Sequence, residues 1–330
     1  MQNSKEGDFM IYVKRVVSIA TFLLGMFLIL LITSFIFVPK NNMKGFGIEN
    51  VPANGILGEK ANTVDVLILG DSETYSAISP MEIWNQKGYT AYVCGTSAQT
   101  LEKSNEMLAK ALKTQKPKIV ILETNAIYRK LKFEKKLGKK LGDKFSVFRY
   151  HNRWKHIRMI DFYTIPEYTW SDDNKGFYYD TTVIPSTNLN YMAENKKNAV
   201  IPEQNMQDIK ALKQTCDENG IRLILLSTPS TKNWNSRRHA AIDKLSNKLN
   251  CEYIDLNMDE HKLGIDWNQD TRDKGDHMNY YGAQKVTTFL AQYLEATGML
   301  HDHRGDEVYD HWHDSYTRYI ENIKKGESPS

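Results

Sequence analysis

The stretch Val64-Asp65-Val66-Leu67-Ile68-Leu69-Gly70-Asp71-Ser72 decides the fold, because a mostly aliphatic run ends there on a glycine and a polar turn. Such a run is typical of a strand buried on both faces, as in a parallel sheet. Gly70 allows a sharp turn after the strand, and the turn presents Ser72 at the carboxyl edge of the sheet, where ligands bind in such folds. Ser72 is therefore a candidate nucleophile.

The rest of the chain repeats this strand pattern. We predict strands at 64–69, 90–94, 118–123, 221–227 and 251–254. Apolar residues at helical spacing lie between them, as in the face formed by Met206, Ile209, Leu212 and Cys216. Alternating strands and helices predict a three-layer α/β/α domain, with a five-stranded parallel sheet covered by helices on both faces.

Residues 16–38 contain no charged side chain and are rich in Leu, Ile and Phe. A helix of this length, at about 1.5 Å per residue, crosses a hydrocarbon core of roughly 30 Å. A cleaved signal peptide is the alternative, but the apolar region is long for one and no small-residue cleavage motif follows it. We predict an uncleaved single-pass anchor, with residues 1–15 cytoplasmic and the catalytic domain outside. Lys5, Lys14 and Arg15 favour this orientation over Lys40 and Lys44 by a small margin.

The remaining organisation follows from these elements. Residues 39–63 are predicted to be a linker, 64–298 the α/β domain, 129–198 an insertion in it, and 299–330 a polar tail. The insertion begins with the basic run 129–140, which suits either a solvated helix or a surface for an anionic membrane or polymer. Its second part, 148–179, is rich in aromatic residues and suits either a packed cap or a lip that stacks on sugars.

Several features argue against other functional classes. The net charge of +3 gives no indication of nucleic acid binding. Cys94, Cys216 and Cys251 are odd in number and are interpreted as buried hydrophobes, and neither a disulfide set nor a metal site is predicted from them. The four histidines of the tail are interpreted as part of a solvated helix, with no metal: His301, His303, His311 and His313. No cofactor is predicted.

A candidate general base, His277, lies in the segment Asp273-Lys274-Gly275-Asp276-His277. Such a histidine needs a carboxylate on Nδ1 to fix its tautomer, and both aspartates are available. Two other strand ends carry Gly95 and Asn125. The N–H groups of Ser72 and Gly95 and the amide of Asn125 would stabilise the oxyanion of an acyl-transfer intermediate.

The blocks Gly70-Asp71-Ser72, Gly95, Asn125 and His277 resemble the four blocks of the SGNH (GDSL-type) hydrolase superfamily, over residues 64–298 apart from the insertion. The resemblance implies a flavodoxin-like fold, Ser72 as nucleophile, His277 as base, and Gly95 and Asn125 in the oxyanion hole. In that superfamily the third block usually reads Gly-x-Asn-Asp, and the acid usually stands three residues before the histidine. Here the third block is Glu-Thr-Asn-Ala and Lys274 occupies the acid's place, so Asp273 is our first choice and Asp276 the alternative.

SGNH proteins with an N-terminal anchor resemble two groups, those that O-acetylate surface polysaccharides and the accessory proteins of lipoteichoic acid D-alanylation. Both groups are associated with a membrane-bound O-acyltransferase. The resemblance therefore implies a membrane-anchored enzyme that passes an acyl group through Ser72 to an envelope glycan or teichoic acid, with membrane lipid and an acyltransferase as partners. The alternatives are a carbohydrate or lipid esterase and a non-catalytic, polymer-binding subunit.

Overall fold

A computed structural model of the protein describes residues 2–129, 141–142, 144–194 and 199–326. The chain forms two compact units. The smaller is built from residues 1–49 and 131–168, and the larger from residues 50–130 and 169–330. Within the described residues the α-helices are α1 (Gln2–Phe37), α2 (Val51–Asn54), α3 (Ser72–Ala77), α4 (Pro80–Lys87), α5 (Leu101–Ala111), α6 (Ser146–Arg149), α7 (Glu203–Glu218), α8 (Ser236–Leu249), α9 (Tyr280–Ala296) and α10 (Asp310–Lys325).

The larger unit contains one five-stranded sheet in the order β2-β1-β3-β4-β5, and every neighbouring pair is parallel. Its strands are β1 (Val66–Gly70), β2 (Ala91–Gly95), β3 (Ile119–Glu123), β4 (Arg222–Ser227) and β5 (Glu252–Asp255). Each lies within two residues of its predicted bounds. The predicted fold class is confirmed.

Side chains alternate between the two faces of the sheet and form two apolar cores. On β1, Leu67 and Leu69 pack in one core with residues of α5 and α7, whereas Val66 and Ile68 pack in the other with residues of α9. Helices therefore cover both faces, as the unbroken apolar runs predict. The order of the sheet reverses between β1 and β3, which places the carboxyl ends of these strands at the switch point where such folds bind ligands.

The C-terminal helix corrects one prediction. Residues 310–325 are helical, but Trp312 and Tyr319 are fully buried, and the Trp312 ring centroid lies 5.7 Å from that of Trp84 on α4. His303 Nε2 is 2.7 Å from the Asp65 carboxylate. The expectation of a solvated helix is wrong, because its aromatic face packs on the domain and outweighs the polar composition.

Part of the predicted linker also belongs to the larger unit. Ala53 and Ile56 are buried in its core. Glu59 forms a buried ion pair with Lys175, with Nζ and Oε1 2.7 Å apart. The three cysteines are unpaired, and Cys94 and Cys216 are buried. Burial raises the pKa of Cys216 to about 12, so this thiol stays protonated.

The smaller unit contains α1, whose stretch Phe9–Phe37 spans 29 residues and includes an 18-residue window with a mean hydropathy of 2.6. By length and composition it is the one helix in the described part of the chain that is able to cross a membrane. Of the basic run 129–140, only Arg129 falls within the described residues. The aromatic part of the insertion is divided: residues up to Tyr168 belong to the smaller unit, and Trp170, Phe177, Tyr178 and Tyr179 to the larger.

Candidate active site

Ser72 is the first residue of α3, directly after the turn that ends β1. Asp71 is the N-cap of this helix, and its Oδ1 accepts a hydrogen bond from the Glu73 N–H at 3.1 Å. Gly70 is required by close packing, since a Cβ there would lie 1.9 Å from Thr74 Oγ1 and 2.7 Å from Glu123 Cβ. The strand, the glycine and the cap together hold Ser72 at the carboxyl edge of the sheet, where it is 8% exposed.

His277 has one aspartate on its inner nitrogen and a second nearby. Asp273 Oδ2 is 2.6 Å from Nδ1, and Asp273 Oδ1 accepts the His277 backbone N–H at 2.7 Å. Asp276 Oδ1 is 3.9 Å from the same Nδ1. Burial alone would raise the pKa of Asp273, but the hydrogen bonds from His277 outweigh it and lower that pKa below its usual range. An ionised carboxylate can only accept a hydrogen bond, so Nδ1 carries a proton; in the neutral imidazole, Nε2 then offers a lone pair.

The Nε2 atom of His277 is buried, and it has no hydrogen-bond partner within the described part of the chain. A buried polar atom without a partner is costly and uncommon in folded proteins. A reacting hydroxyl would satisfy it, which is the arrangement expected of a general base.

One amide connects the nucleophile segment to the base segment. Asn233 Nδ2 donates to Glu73 Oε1 at 2.6 Å and to Asp276 Oδ1 at 2.5 Å. Glu73 follows Ser72 and Asp276 precedes His277, so Asn233 bridges the neighbours of both candidate catalytic residues. Sequence reasoning missed Asn233. Its one signal was its place in the polar loop after β4, at the carboxyl edge of the sheet.

The loop before His277 is held by the same segment of chain. Ser230 Oγ donates to the carbonyl of Gly275 at 3.1 Å and to that of Asp276 at 2.9 Å. Gly275 has a φ of +83°, and a Cβ on it would lie 1.9 Å from Thr231 Oγ1. The glycine is therefore needed both for its backbone conformation and for the close approach of the two loops.

Asn125 is fixed at both ends of its amide. Its Nδ2 donates to Asp71 Oδ2 at 2.9 Å, and its Oδ1 accepts from Arg238 Nη1 at 2.7 Å. One of the two Nδ2 hydrogens remains for another acceptor. Gly95 is the register partner of Gly70, and a Cβ on Gly95 would lie 3.1 Å from the Asp71 carbonyl oxygen. The structure thus places Gly95 and Asn125, two of the three predicted oxyanion donors, beside Asp71, the residue before the nucleophile.

Three carboxyl groups are buried around the nucleophile: Asp71, Glu73 and Glu123. Arg129 binds Asp71 Oδ2 through Nε at 2.8 Å and Nη2 at 2.7 Å. Burial, reinforced by the negative charge of Asp71, raises the pKa values of both Glu73 and Glu123 well above the usual range. These shifts favour the neutral forms of the two glutamates, and Arg129 pairs with the Asp71 carboxylate. Sequence reasoning did not foresee this, because Glu123 lies 50 residues after Glu73 in the chain.

A second histidine-carboxylate pair lies at the end of β5. His239 Nδ1 is 2.8 Å from Asp255 Oδ2, which also accepts from Trp234 Nε1 at 2.8 Å and Tyr253 Oη at 3.0 Å. Ser227 Oγ lies 3.0 Å from Tyr253 Oη and 2.6 Å from Thr124 Oγ1. The hydrogen bond to Asp255 raises the pKa of His239 against the opposing effect of burial. The sequence did not single out this pair.

Among the aromatic residues of the insertion, Tyr178 lies beside the nucleophile helix. Its N–H donates to the Tyr75 carbonyl at 2.8 Å, and the two rings meet edge to face with centroids 6.1 Å apart. The Arg272 guanidinium lies 4.8 Å from the Tyr178 ring centroid, and its Nη2 donates to Ser76 Oγ at 2.9 Å. Phe177 and Tyr179 are buried in the core, which matches a packed cap for these two residues.

One set of side chains could also hold a metal ion. Asp273, Asp276 and His277 each offer a ligand atom, and these atoms lie within 4.8 Å of one another. In the structure Asp273 is already bonded to His277 Nδ1. We derive no chemical step through a metal.

Comparison with known proteins identifies no relative by sequence. No protein-family model matches the chain, and no curated protein matches it. Solved structures that are similar include a lipase/acylhydrolase from Enterococcus faecalis (12% identity, 72% of this chain and 97% of that one, TM-score 0.38). Another is a GDSL-like lipase from Bacteroides thetaiotaomicron VPI-5482 (13% identity, 70% and 88%, TM-score 0.34). TM-scores this low support no conclusion about function, which is therefore inferred from the residues of the site.

Proposed function

We propose that the protein is a membrane-anchored enzyme of the SGNH superfamily that transfers acyl groups through Ser72. One observation carries the proposal: the Asp273 carboxylate lies 2.6 Å from His277 Nδ1, and the buried Nε2 has no partner in the described ranges of the chain. This is the state that a general base needs before it takes a proton from a nucleophile. The bridge through Asn233 ties this base to the segment that carries Ser72.

The proposed reaction has two halves. Ser72 Oγ attacks the carbonyl carbon of an acyl donor as its proton passes to His277 Nε2, and Asp273 stabilises the imidazolium. The N–H groups of Ser72 and Gly95 and the remaining Nδ2 hydrogen of Asn125 receive the oxyanion. When the carbonyl reforms, His277 protonates the departing oxygen and leaves an acyl-Ser72 ester. An acceptor hydroxyl then attacks this ester by the same steps in reverse order and restores Ser72.

We further propose that the acceptor is a hydroxyl of an envelope polysaccharide or teichoic acid, and that the acyl donor is supplied by a membrane-bound O-acyltransferase. The apolar helix α1 supports this, because it would hold the enzyme at a membrane surface with the larger unit outside the cell. Asp276 remains the alternative orienting acid, although its closest oxygen is farther from His277 Nδ1 than that of Asp273.

The test is an acyl-partition experiment on the full chain in lipid nanodiscs. An activated acetyl ester is supplied with and without a glycan or a polyglycerol-phosphate acceptor, and acylated acceptor and free acid are measured by mass spectrometry. We expect acylated acceptor to form and to disappear in Ser72→Ala. Free acid alone, dependent on Ser72, would show an esterase, and equal turnover by Ser72→Ala would contradict any catalytic role and leave a binding subunit.

A further inference from the structure

The smaller unit exposes apolar side chains that a water-facing surface would not carry. Within residues 154–165, Met159, Tyr163 and Ile165 are 78%, 71% and 77% exposed, and Trp154 and Phe162 are more than half exposed. Single exposed apolar residues are ordinary, but a group of large ones within one short segment marks a binding surface. We call residues 144–165 the collar.

The collar is attached to the carboxyl half of α1. The Phe145 ring meets that of Phe27 edge to face, with centroids 6.1 Å apart, and the Val147 N–H donates to Ser34 Oγ at 3.4 Å. Phe27 and Ser34 both belong to the apolar stretch of α1. The collar therefore lies against the same helix that is able to cross a membrane.

Arg153 secures this attachment at the end of the helix. Its side chain is buried, and Nη1 donates to the carbonyls of Ile36 at 2.9 Å and Val38 at 3.3 Å. Its Nη2 pairs with the buried carboxylate of Asp161 at 2.5 Å. The last carbonyls of a helix have no hydrogen-bond donor within it, and where water is scarce another group must donate to them. Arg153, a residue of the collar, is such a donor.

The length of α1 sets the depth of the collar. The 29 residues of Phe9–Phe37 extend about 43 Å at roughly 1.5 Å per residue, against a hydrocarbon core of about 30 Å and a bilayer with headgroups of about 40–45 Å. The last turns of α1 would then lie in the headgroup region, together with the part of the collar that Arg153 binds to them. Phe145, which packs on Phe27 about 15 Å before the end of the helix, would lie deeper. Trp and Tyr are the residues that favour this region. Lys155 and Arg158, which stack on Trp154 and Phe46, suit anionic headgroups there.

We propose that the collar is a membrane-docking surface, whose exposed apolar residues insert into the bilayer interface around the carboxyl end of α1. The occupant of the surface is lipid. A second copy of the chain would instead cover these side chains with protein. If the surface served another protein, its apolar side chains would be exposed to water whenever that partner was absent. The inference rests on the anchoring role of α1 in the proposed function. It gives residues 144–165 a role in membrane docking, which differs from the sugar-stacking role considered for the aromatic part of the insertion.

The test places an environment-sensitive label on single cysteines in the full chain in lipid nanodiscs that contain phosphatidylglycerol. The native cysteines are replaced by serine or alanine, and the background variant is first checked for folding by circular dichroism. Labels are placed at Tyr163 and Ile165 in the collar, at Phe22 in the middle of α1, and at Glu218, an exposed polar position, as the water reference. Quenching is measured with aqueous iodide and with lipids that carry a nitroxide at shallow or deep positions.

We expect the collar labels to be quenched at least several-fold less by iodide than the Glu218 label, and more by the shallow nitroxide than by the deep one. The Phe22 label should respond most to the deep nitroxide. Collar labels as open to iodide as Glu218, with Phe22 still lipid-quenched, would overturn the docking surface and leave the anchor intact. Protection from iodide without lipid quenching would show a protein interface and also overturn it. Failure of lipid quenching at Phe22 would refute the anchor and the collar together.

Discussion

The larger unit contains two histidine-carboxylate pairs at the carboxyl edge of one sheet, and they differ in what surrounds them. In the pair His277–Asp273 the carboxylate is hydrogen-bonded to the histidine ring and backbone, and the outer ring nitrogen is buried with no partner among the residues that the structure describes. In the pair His239–Asp255 the carboxylate is shared among a tryptophan, a tyrosine and an asparagine as well as the histidine. Ser227, which shares a hydrogen bond with the Tyr253 hydroxyl of this cluster, is also hydrogen-bonded to Thr124.

The comparison shows that a histidine beside a carboxylate does not make an active site. The His239 pair satisfies polar groups at the ends of β4 and β5, and the Ser227 hydroxyl beside it is already hydrogen-bonded to Tyr253 and Thr124, so we assign the pair to stability. The His277 pair leaves a buried ring nitrogen without a hydrogen-bond partner among the described residues, and Asn233 joins its segment to the one that carries Ser72 at a helix start, which suits chemistry. The predictions below separate these two roles.

The largest expected effect comes from replacing each of the two histidines with alanine, one at a time. His277→Ala should lower kcat/KM for an activated ester by about 10³-fold or more, since the general base is lost, with little change in the melting temperature. His239→Ala should leave the ester kinetics within about 3-fold and lower the free energy of unfolding by about 1–3 kcal/mol, because a buried carboxylate loses a partner. Steady-state kinetics and thermal melts of both variants check this. The reverse pattern would interchange the two roles.

The second effect concerns the acid behind the base. Asp273→Asn should lower kcat by about 10²–10⁴-fold, because the amide cannot hold the Nδ1 proton in the same way or stabilise the imidazolium. Asp276→Asn should cost about 10-fold or less, as its closest oxygen is 3.9 Å from Nδ1. Single-turnover kinetics of the two variants measure the difference. An inactive Asp276→Asn beside an active Asp273→Asn would make Asp276 the orienting acid.

A smaller effect is expected at the bridge between nucleophile and base. Asn233→Ala removes the donor shared by Glu73 and Asp276, and we expect kcat to fall about 10-fold with KM nearly unchanged, because the bridge aligns reacting groups and does not touch substrate. The matched control is Asn247→Ala, which removes an exposed amide from α8. Loss of stability in Asn233→Ala without a change in kcat would reduce Asn233 to a structural role.

The smallest effect is a pH dependence of stability at the second pair. The folded-state pKa of His239 is raised by Asp255, so its contribution is fully present below the unfolded value of about 6.5 and is lost as pH rises through the folded pKa. Denaturation midpoints between pH 5.5 and 8.5 should fall more steeply with pH for the wild type than for His239→Gln. Parallel curves for the two proteins would show that the pair contributes nothing to this dependence.

The sequence predicts the sheet well, because unbroken aliphatic runs and glycines at their ends are local signals. The C-terminal helix was misjudged although Trp312, Tyr316, Tyr319 and Ile323 recur at helical spacing, since its polar composition hid an apolar stripe. The buried pair of Glu59 and Lys175 joins positions 116 residues apart, and the bridge by Asn233 joins three segments. No local sequence pattern predicts such contacts, because they form only when segments distant in the chain come together in the fold.

Covalent labelling tests the central claim most directly, namely that Ser72 is the nucleophile and that His277 activates it. The full chain is treated with a fluorophosphonate, which forms a stable bond to an activated serine, and the modified peptide is identified by mass spectrometry. We predict one adduct on Ser72, formed much more slowly in His277→Ala and at an unchanged rate in His239→Ala. An adduct on Ser227, or an unlabelled Ser72 in a folded protein, would contradict the account.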